Sequence, residues 1–435
     1  MQLYDRFRKN SDFACRTVVI ASEAVRACFL ESLVNFRTTL PALCQEAVNS
    51  DRDSIRQAFN TMREDVSESV ARLSGALLQG KLILFNKEGS VAIIEPVQPE
   101  LSRSVMIPNS ENPLQSAFDA FTEDIDINIG LLRKKMISDR LVVETRFMGR
   151  SSVKKIAMIY LEDTARQKVI ESIRDKLEGN SDKELTTVRD LARLLGHPKF
   201  ALTPTYISSE LPGETVQTLI NGKVVILIDQ FSFAFAFPAI VTDLWTTTLD
   251  SNYPLLFQLF LRTLRVGASL MAVTLPGLYV VLNSVNPELL RIQLAITVAN
   301  SREGVPYPSI IEMLLVLLLL EMIVEATIRL PKNIGPTITM IGGILLGQAI
   351  VQAKLVSNLL IIILVASAIA NFALTSYMNA VGMRMYKYVV MFASSFFGIW
   401  GLEAAMIWLM LYFSSLTIST VPYLSLSVKG KVPDE

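Results

Sequence analysis

The chain has 435 residues, 51% of them hydrophobic, and its 41 basic and 41 acidic residues give a formal net charge of zero. The balanced charge argues against nucleic-acid binding, which normally shows as a basic patch or stripe, and no nucleic-acid partner is expected. The length predicts two or three domains, and apolar runs of about 20 residues in the second part of the chain predict a membrane half after a soluble half.

The amino terminus and the cysteines predict an ordinary cytoplasmic soluble half. Residues 1–20 contain basic side chains but neither the apolar core nor the cleavage site of a secretory signal. Cys15, Cys28 and Cys44 are odd in number and lack metal-binding spacing, so we expect reduced thiols rather than a disulfide or a metal set. With His197 as the single histidine, a zinc site is not expected, and no cofactor is predicted.

The soluble half contains two segments that resemble each other. LLQGKLILFNKEGSVAIIEP begins at Leu77, and LINGKVVILIDQFSFAFAFP begins at Leu219. Each places Gly-Lys before two β-rich runs, which is the pattern of paired strands. We therefore predict an α/β soluble domain of two related subdomains, residues 1–115 and 116–250. The Gly-Lys pairs lack phosphate-loop spacing and precede a strand, so they predict no nucleotide site and no enzyme.

The second of these regions opens with a predicted amphipathic helix, Ser116–Met136. Apolar residues recur every three to four positions, while acidic residues crowd its start and basic residues its end, as the helix dipole favours. This helix is interpreted as packing on one subdomain. The alternative is that its charged face contacts a partner subunit or the membrane half.

Residues 251–425 are predicted to form an α-helical polytopic membrane domain of about five spans, and residues 426–435 a polar tail. An interfacial or partly re-entrant helix is expected between the first two spans. The predicted spans are Val266–Val285, Ser309–Leu330, Gly335–Ala353, Leu355–Leu374 and Tyr388–Tyr412.

Three carboxylates lie inside the second span, those of Glu312, Glu321 and Glu325. A carboxylate in a spanning helix costs about 2.5–3.5 kcal/mol, so it usually faces other helices or water. Glu321, Glu325 and Arg329 share one helical stripe, which predicts an i to i+4 ion pair between Glu325 and Arg329. Glu312 lies roughly opposite this stripe and needs another partner or water.

Two other spans hold polar or helix-bending residues. Pro276 should kink the first span, either as a tolerated packing kink or as a hinge or pore-lining bend. Gly343 and Gly347 allow close helix contact in the third span, which also carries Gln348. Carboxylates near a pore favour cations, although a purely structural salt bridge is the alternative for Glu325. The candidates for a pore or gate are Pro276, Glu312, Glu321, Glu325 and Gln348, with Arg329 as a structural pairing partner.

Several stretches stand in an order that is typical of one protein family. They are FTEDIDINIGLLRKKM from Phe121, GRSSVKKIAMIYLEDTA from Gly149, LPGLYVVLNSVNPELL from Leu275, SREGVPYP from Ser301, EATIRLPKNIG from Glu325 and VPYL from Val421. The chain resembles the A subunit of the bacterial spore germinant receptors, the GerA family. It departs from the usual pattern at Gln352, Lys354, Tyr412 and Thr420, the last of which replaces a usual glycine. A stage V sporulation paralogue is therefore the alternative.

The resemblance implies a multi-pass protein of the inner spore membrane, with its soluble domain on the cytoplasmic (core) side. It implies a transporter-like B subunit and a lipoprotein C subunit as partners, and contact with membrane lipid. The expected function is that of an A subunit of a nutrient germinant receptor, an oligomeric ligand-gated channel or gating subunit for monovalent cations. The alternatives are a non-conducting scaffold of the germination complex and a secondary transporter.

Overall fold

The computed structural model describes residues 2–20, 23–49, 66–86, 91–97, 119–330, 335–375 and 377–429. The start of the helix predicted from Ser116 and most of the predicted polar tail lie outside the described residues. The described chain forms a soluble α/β part with two antiparallel sheets, followed by a bundle of apolar helices.

The first subdomain is a four-stranded antiparallel sheet with helices on both faces. Helix α2 covers one face, where Phe36 stacks on Phe29. Helices α1 and α3 cover the other face through Phe7 and Leu77, which share a core with Ile83. In chain order the elements are α1 Gln2–Phe7, β1 Phe13–Ile20, β2 Glu23–Leu30, α2 Phe36–Asn49, α3 Val66–Leu78, β3 Leu82–Phe85 and β4 Val91–Ile94.

The cysteines of this sheet differ from the prediction. The register of β1 against β2 places Cys15 directly opposite Cys28, and the two sulfur atoms are bonded. Directly opposite residues of an antiparallel pair bring their side chains close together. The prediction of reduced thiols is therefore wrong for this pair, because sequence spacing does not reveal strand register. Cys44 is a free thiol.

The second subdomain is a five-stranded antiparallel sheet with the order β5-β6-β8-β9-β7. Strand β8 is buried on both faces, with Ile226 in one core and Val225 in the other. This explains its unbroken apolar sequence, since a strand covered on both sides needs no polar alternation. The elements are α4 Ile125–Lys135, β5 Leu141–Met148, β6 Lys154–Leu161, α5 Gln167–Glu178, α6 Val188–Leu194, β7 Ile207–Ser209, α7 Pro212–Ile220, β8 Val224–Ile228 and β9 Ala234–Phe237.

The two similar sequence segments have the same local structure. In each, a helix ends at a Gly-Lys turn that leads into an antiparallel hairpin, β3–β4 in one and β8–β9 in the other. Gly80 and Gly222 have φ angles of +80° and +84°, a left-handed conformation that glycine adopts without strain. Each hairpin also pairs with an earlier hairpin in the same antiparallel manner. Both segments thus share a Gly-Lys turn, a hairpin and the pairing of that hairpin with an earlier one.

Helix α4 joins the subdomains to each other. It begins at Ile125, later than predicted, where the side chain of Asp124 caps its first turn. Arg133 near its end is 1% exposed, and its guanidinium donates to both carboxylate oxygens of Asp12, at 2.6 and 2.7 Å, and to Asn10 Oδ1 at 2.9 Å. The basic end of this helix therefore binds the first subdomain.

The second half of the chain is helical. Two stretches of the described residues, Leu255–Val285 and Met378–Ser415, are long and apolar enough to cross a membrane by length and composition. The predicted number of about five spans is not confirmed. Helix α9 lies where an interfacial helix was expected, and none of its residues is buried. The helices are α8 Leu255–Val280 with a π-helical turn to Val285, α9 Ile292–Ser301, α10 Ser309–Arg329, α11 Gly335–Gln352, α12 Asn358–Phe372 and α13 Tyr377–Ser415.

Helix α13 is a hairpin of two antiparallel arms, so the prediction of one fifth span is wrong. Gly398 has φ 61° and ψ −140° and interrupts the helix. The ring centroids of Tyr386 and Phe413 are 5.5 Å apart, whereas a straight helix would separate these residues by about 40 Å. The apolar sequence continues through the turn, so no polar break marks it. We call residues 377–397 the first arm and residues 399–415 the second arm.

The chain after the second arm returns to the soluble domain. It forms a short hairpin of β10 Thr417–Ile418 and β11 Val421–Pro422. The backbone N–H of Val241 donates to the carbonyl of Tyr423 at 2.8 Å, and Val421 and Val428 enter one core of the second subdomain. The carboxyl-terminal segment is thus part of the soluble fold.

Candidate functional site in the helical bundle

Glu312 is completely buried in the first turn of α10. Its carboxylate accepts hydrogen bonds from the backbone N–H of Ser357 and from the hydroxyl of Tyr279, and it lies 3.4 Å from Arg302 Nε. Ser357 is the N-cap of α12, so the positive end of that helix dipole also faces the carboxylate. The partner that Glu312 required therefore comes from other segments, namely α8, α12 and the loop before α10.

Glu321 lies two turns further along α10 and faces the first arm of α13. Its carboxylate is 2.7 Å from Arg384 Nη1 and 3.6 Å from Lys387 Nζ. The side chain of Lys387 is only 6% exposed. The acid is therefore held by two cations inside one chain, which fixes α10 against α13.

Glu325 and Arg329 form an ion pair on the outside of α10, at 2.7 Å between Oε1 and Nη2. Their side chains are 60% and 77% exposed. Although they share a sequence stripe with Glu321, they do not share its partners. The three acids of this helix thus occupy three different environments.

Pro276 lies within α8, which continues through it as a helix. Proline has no N–H, so the carbonyl of Ala272 loses its usual helix donor. The hydroxyl of Ser367 on α12 donates to this carbonyl at 2.9 Å. The next residue, Gly277, allows the first arm to approach closely, because a Cβ there would lie 2.8 Å from Ser394 Oγ.

Gln348 lies apart from the acids, exposed on α11. The ideal Cβ positions of Gly343 and Gly347 on the same helix have no described atom within 4 Å. The structure therefore does not bring Gln348 together with Glu312 or Glu321, and it leaves one glycine-bearing side of α11 open within the described chain.

Asn286 joins the far end of α8 to the tip of the α13 hairpin. Its Oδ1 accepts a hydrogen bond from the backbone N–H of Ile399 at 3.1 Å, at the start of the second arm. A Cβ on Gly398 would lie 2.1 Å from the same oxygen. The turn therefore needs glycine for its conformation and for the space that Asn286 occupies.

The first half of α8 is bound to the soluble domain. Arg265 forms two hydrogen bonds with the carboxylate of Asp250, at 2.5 and 2.9 Å, and Ser269 accepts from the indole N–H of Trp245. Burial alone would raise the pKa of Asp250, but hydrogen bonds from Arg265 and Thr247 outweigh it and hold the pKa below its usual range. Helix α8 thus connects the soluble domain to the polar contacts deep in the bundle.

Sequence reasoning missed the partners of the acids. Arg384 and Lys387 carried a usable signal, because two basic residues at the start of an apolar run need a carboxylate as much as Glu321 needs a cation. Pro276 likewise signalled that a donor must satisfy the carbonyl four residues earlier. Tyr279, Ser357 and Ser367 gave no such signal, since uncharged polar residues are common in membrane helices.

The fold and these polar networks define a membrane-associated protein with an amino-terminal α/β domain and a helical bundle. A family model described as Bacillus/Clostridium GerA spore germination protein matches residues 1–434, and the chain belongs to this family, as a spore germination protein of the A-subunit type. The sequence resemblance is thereby confirmed.

Similar proteins come from several Bacillus species. Spore germination protein GerLA of Bacillus cereus is 31% identical over 348 residues, which cover 80% of this chain and 71% of that protein. Spore germination protein A1 of Bacillus subtilis (strain 168) is 28% identical over 373 residues, covering 86% and 77%. Among solved structures, the N-terminal domain of the A subunit of the Bacillus megaterium spore germinant receptor GerK3 aligns with a TM-score of 0.38 at 20% identity, covering 55% of this chain and 92% of that one.

Proposed function

We propose that this protein is the A subunit of a nutrient germinant receptor and that its helical half forms, or gates, a path for monovalent cations. It assembles with further copies of itself in the inner spore membrane, with the soluble domain on the core side. It acts together with a transporter-like B subunit and a lipoprotein C subunit.

The exposed ion pair of Glu325 and Arg329 carries this proposal. Charged side chains on a membrane helix usually face other helices or water rather than lipid. In one chain this pair is largely exposed, at 60% and 77%, so other copies or an aqueous path must cover it. Repeated around an assembly, the pairs form a ring of carboxylates and guanidinium groups, and we assign cation attraction to the Glu325 carboxylates of this ring.

The remaining candidates divide between the path and its gate. Gln348 is an exposed amide on α11, so it is proposed to line the path. Glu312 and Glu321 are held by partners inside one chain, so we assign them to the gate, where they fix α10 against α12 and α13.

Cation release by spores after germinant addition tests the role of Glu325. Glu325→Gln keeps the size of the side chain and removes its charge, and should lower the rate of release severalfold at an unchanged protein level. Glu171→Gln makes the same change at an exposed position of α5 and should leave release unchanged. Normal release from the Glu325 variant would contradict its place in the path. If the complete receptor in liposomes gives no ion flux with any nutrient, the protein is a non-conducting scaffold instead.

A further inference from the structure

The carbonyl of Ala272 has an unusual partner for a residue inside a helix. Pro276 removes the N–H that would bind it, and Ser367 from α12 supplies the donor at 2.9 Å. Ala272 and Ser367 are each 2% exposed, so water does not replace this bond. Neighbouring serine side chains are a known means of satisfying backbone groups freed by proline in membrane helices.

Pro276 divides α8 into two parts with different attachments. Before the proline, Arg265 binds Asp250 of the soluble domain. After it, the hydroxyl of Tyr279 donates to Glu312, and Asn286 caps the second arm of α13. A change of angle at Pro276 would therefore move the soluble domain relative to these contacts.

The packing beside Pro276 also suits a pivot. Gly277 faces the first arm of α13, where a Cβ would lie 2.8 Å from Ser394 Oγ and 3.3 Å from Val390 Cγ1. The helices thus cross closely at this level without a side chain of α8 between them. On the α12 side, the bond from Ser367 is the polar contact that fixes the helix at this level.

We propose that Pro276 is the hinge of α8 and that Ser367 is the positioning residue that latches it. The Ser367 hydroxyl holds the helix at its present angle through the Ala272 carbonyl, and its release lets α8 bend when the soluble domain moves. This inference rests on the proposed function only in that the motion it controls is the opening of the cation path.

A double-mutant cycle on the full-length protein in detergent, followed by thermal unfolding, tests the latch directly. Ser367→Ala should lower the unfolding temperature, because it leaves the Ala272 carbonyl without a donor. Pro276→Ala restores a backbone N–H that can bind this carbonyl, so in that background Ser367→Ala should have little effect. Equal effects in both backgrounds would overturn the latch.

Ser394→Ala is the matched control. Its hydroxyl binds the Val390 carbonyl of its own helix at 2.7 Å and has no part in the Ala272 bond. Its effect on the unfolding temperature should therefore be the same with and without Pro276.

The rate at which spores begin to release cations separates a hinge from a merely structural bond. Ser367→Ala frees the hinge and should speed the onset by about threefold to fifteenfold, the range that an interhelical hydrogen bond in a membrane supports. Pro276→Ala removes the hinge and should slow the onset of cation release. If both variants change the onset rate in the same direction, or if neither changes it at equal protein levels, the hinge is contradicted. If wild-type receptor conducts no ions, the proposed function fails, while the thermal cycle still decides the latch.

Discussion

Glu312 shows how an apolar helix accommodates a carboxylate at zero exposure. The backbone N–H of Ser357 and the hydroxyl of Tyr279 donate to it, and the guanidinium of Arg302 forms an ion pair with it; the three partners lie on three different segments. A buried charged group without such partners would cost several kcal/mol. The side chain therefore helps to hold α8, α12 and the loop before α10 together.

Truncation of Glu312 should be among the more damaging single changes in the bundle. Glu312→Ala removes the acceptor of two hydrogen bonds and the ion-pair partner of Arg302, and should lower the free energy of unfolding by about 3 kcal/mol. Glu325→Ala is the control, since loss of its exposed i to i+4 pair should cost less than about 0.5 kcal/mol. Thermal unfolding of the full-length protein in detergent measures both. Similar losses for the two variants would contradict the network.

The sequence predicted some of these contacts and not others for a physical reason. The pair of Glu325 and Arg329 follows from helix geometry, because both residues lie on one helix a turn apart. The partners of Glu312 lie on other segments, and their proximity depends on how the helices pack. The periodic spacing of apolar and polar residues shows which side of a helix a residue occupies. It does not show which neighbouring segment that side contacts.

The α13 hairpin is the feature of the bundle that hydropathy conceals. Its tip is fixed to the end of α8 by Asn286. Both arms contact the same soluble loop, where the Leu202 N–H donates to Tyr412 and Thr203 bonds Tyr386. The β-rich patterns correctly indicated the hairpins β3–β4 and β8–β9, and the amphipathic pattern indicated α4, which begins later than predicted. In α13 the residues on both sides of the turn are apolar, so the backbone angles of Gly398 and the contact of Tyr386 with Phe413 reveal the break, and the sequence pattern does not.

Replacement of Gly398 should destabilise this hairpin. Gly398→Ala adds a Cβ 2.1 Å from Asn286 Oδ1 at φ 61°, and we expect a loss of about 2 kcal/mol or more. Gly267→Ala is the matched control, because that glycine lies in α8 with no described atom within 4 Å of an ideal Cβ. It should instead gain up to about 1 kcal/mol from helix propensity. Thermal unfolding of both variants measures these changes. A shift of the unfolding temperature in the same direction for both would contradict the role of the turn.

At the scale of the whole molecule, the carboxyl-terminal segment fastens the bundle to the soluble domain. Its short hairpin turns at Ser419 and Thr420, with φ angles of 44° and 72°. The left-handed angle at Thr420 explains why the related pattern carries glycine at this position. His197 of the soluble domain lies against the turn, with Nε2 3.5 Å from Ser419 Oγ. Neither this docking nor the cross-strand disulfide follows from sequence patterns, since both depend on residues that folding alone brings together.

The burial of His197 predicts that the stability of the protein depends on pH. Burial, with a smaller contribution from the charge of Lys176, lowers the pKa of His197 from 6.5 to about 4. The unfolded chain therefore takes up this proton at a higher pH than the folded chain does. The contribution of neutral His197 to the free energy of unfolding is fully present above pH 6.5. It is lost as the pH drops towards 4, which lowers the free energy of unfolding by up to about 3 kcal/mol.

Thermal unfolding of wild-type protein and of His197→Asn between pH 4 and pH 7 measures this contribution. The difference between their pH profiles should be confined to this window, because His197 is the single histidine of the chain. Parallel profiles would show that His197 takes up its proton equally in the folded and unfolded states.

The docking of the chain end has a consequence for biosynthesis. Val421 and Val428 belong to a core whose other strands are made before the first membrane helix emerges from the ribosome. At about 5–20 residues per second, the intervening helices, Leu255 to Ser415, take roughly 8 to 32 s to translate. During that interval the apolar side chains that pack against Val421 and Val428 lack these two partners. A chain that terminates before Val421 never gains them, so residues made after the helical bundle complete a core that was translated before it.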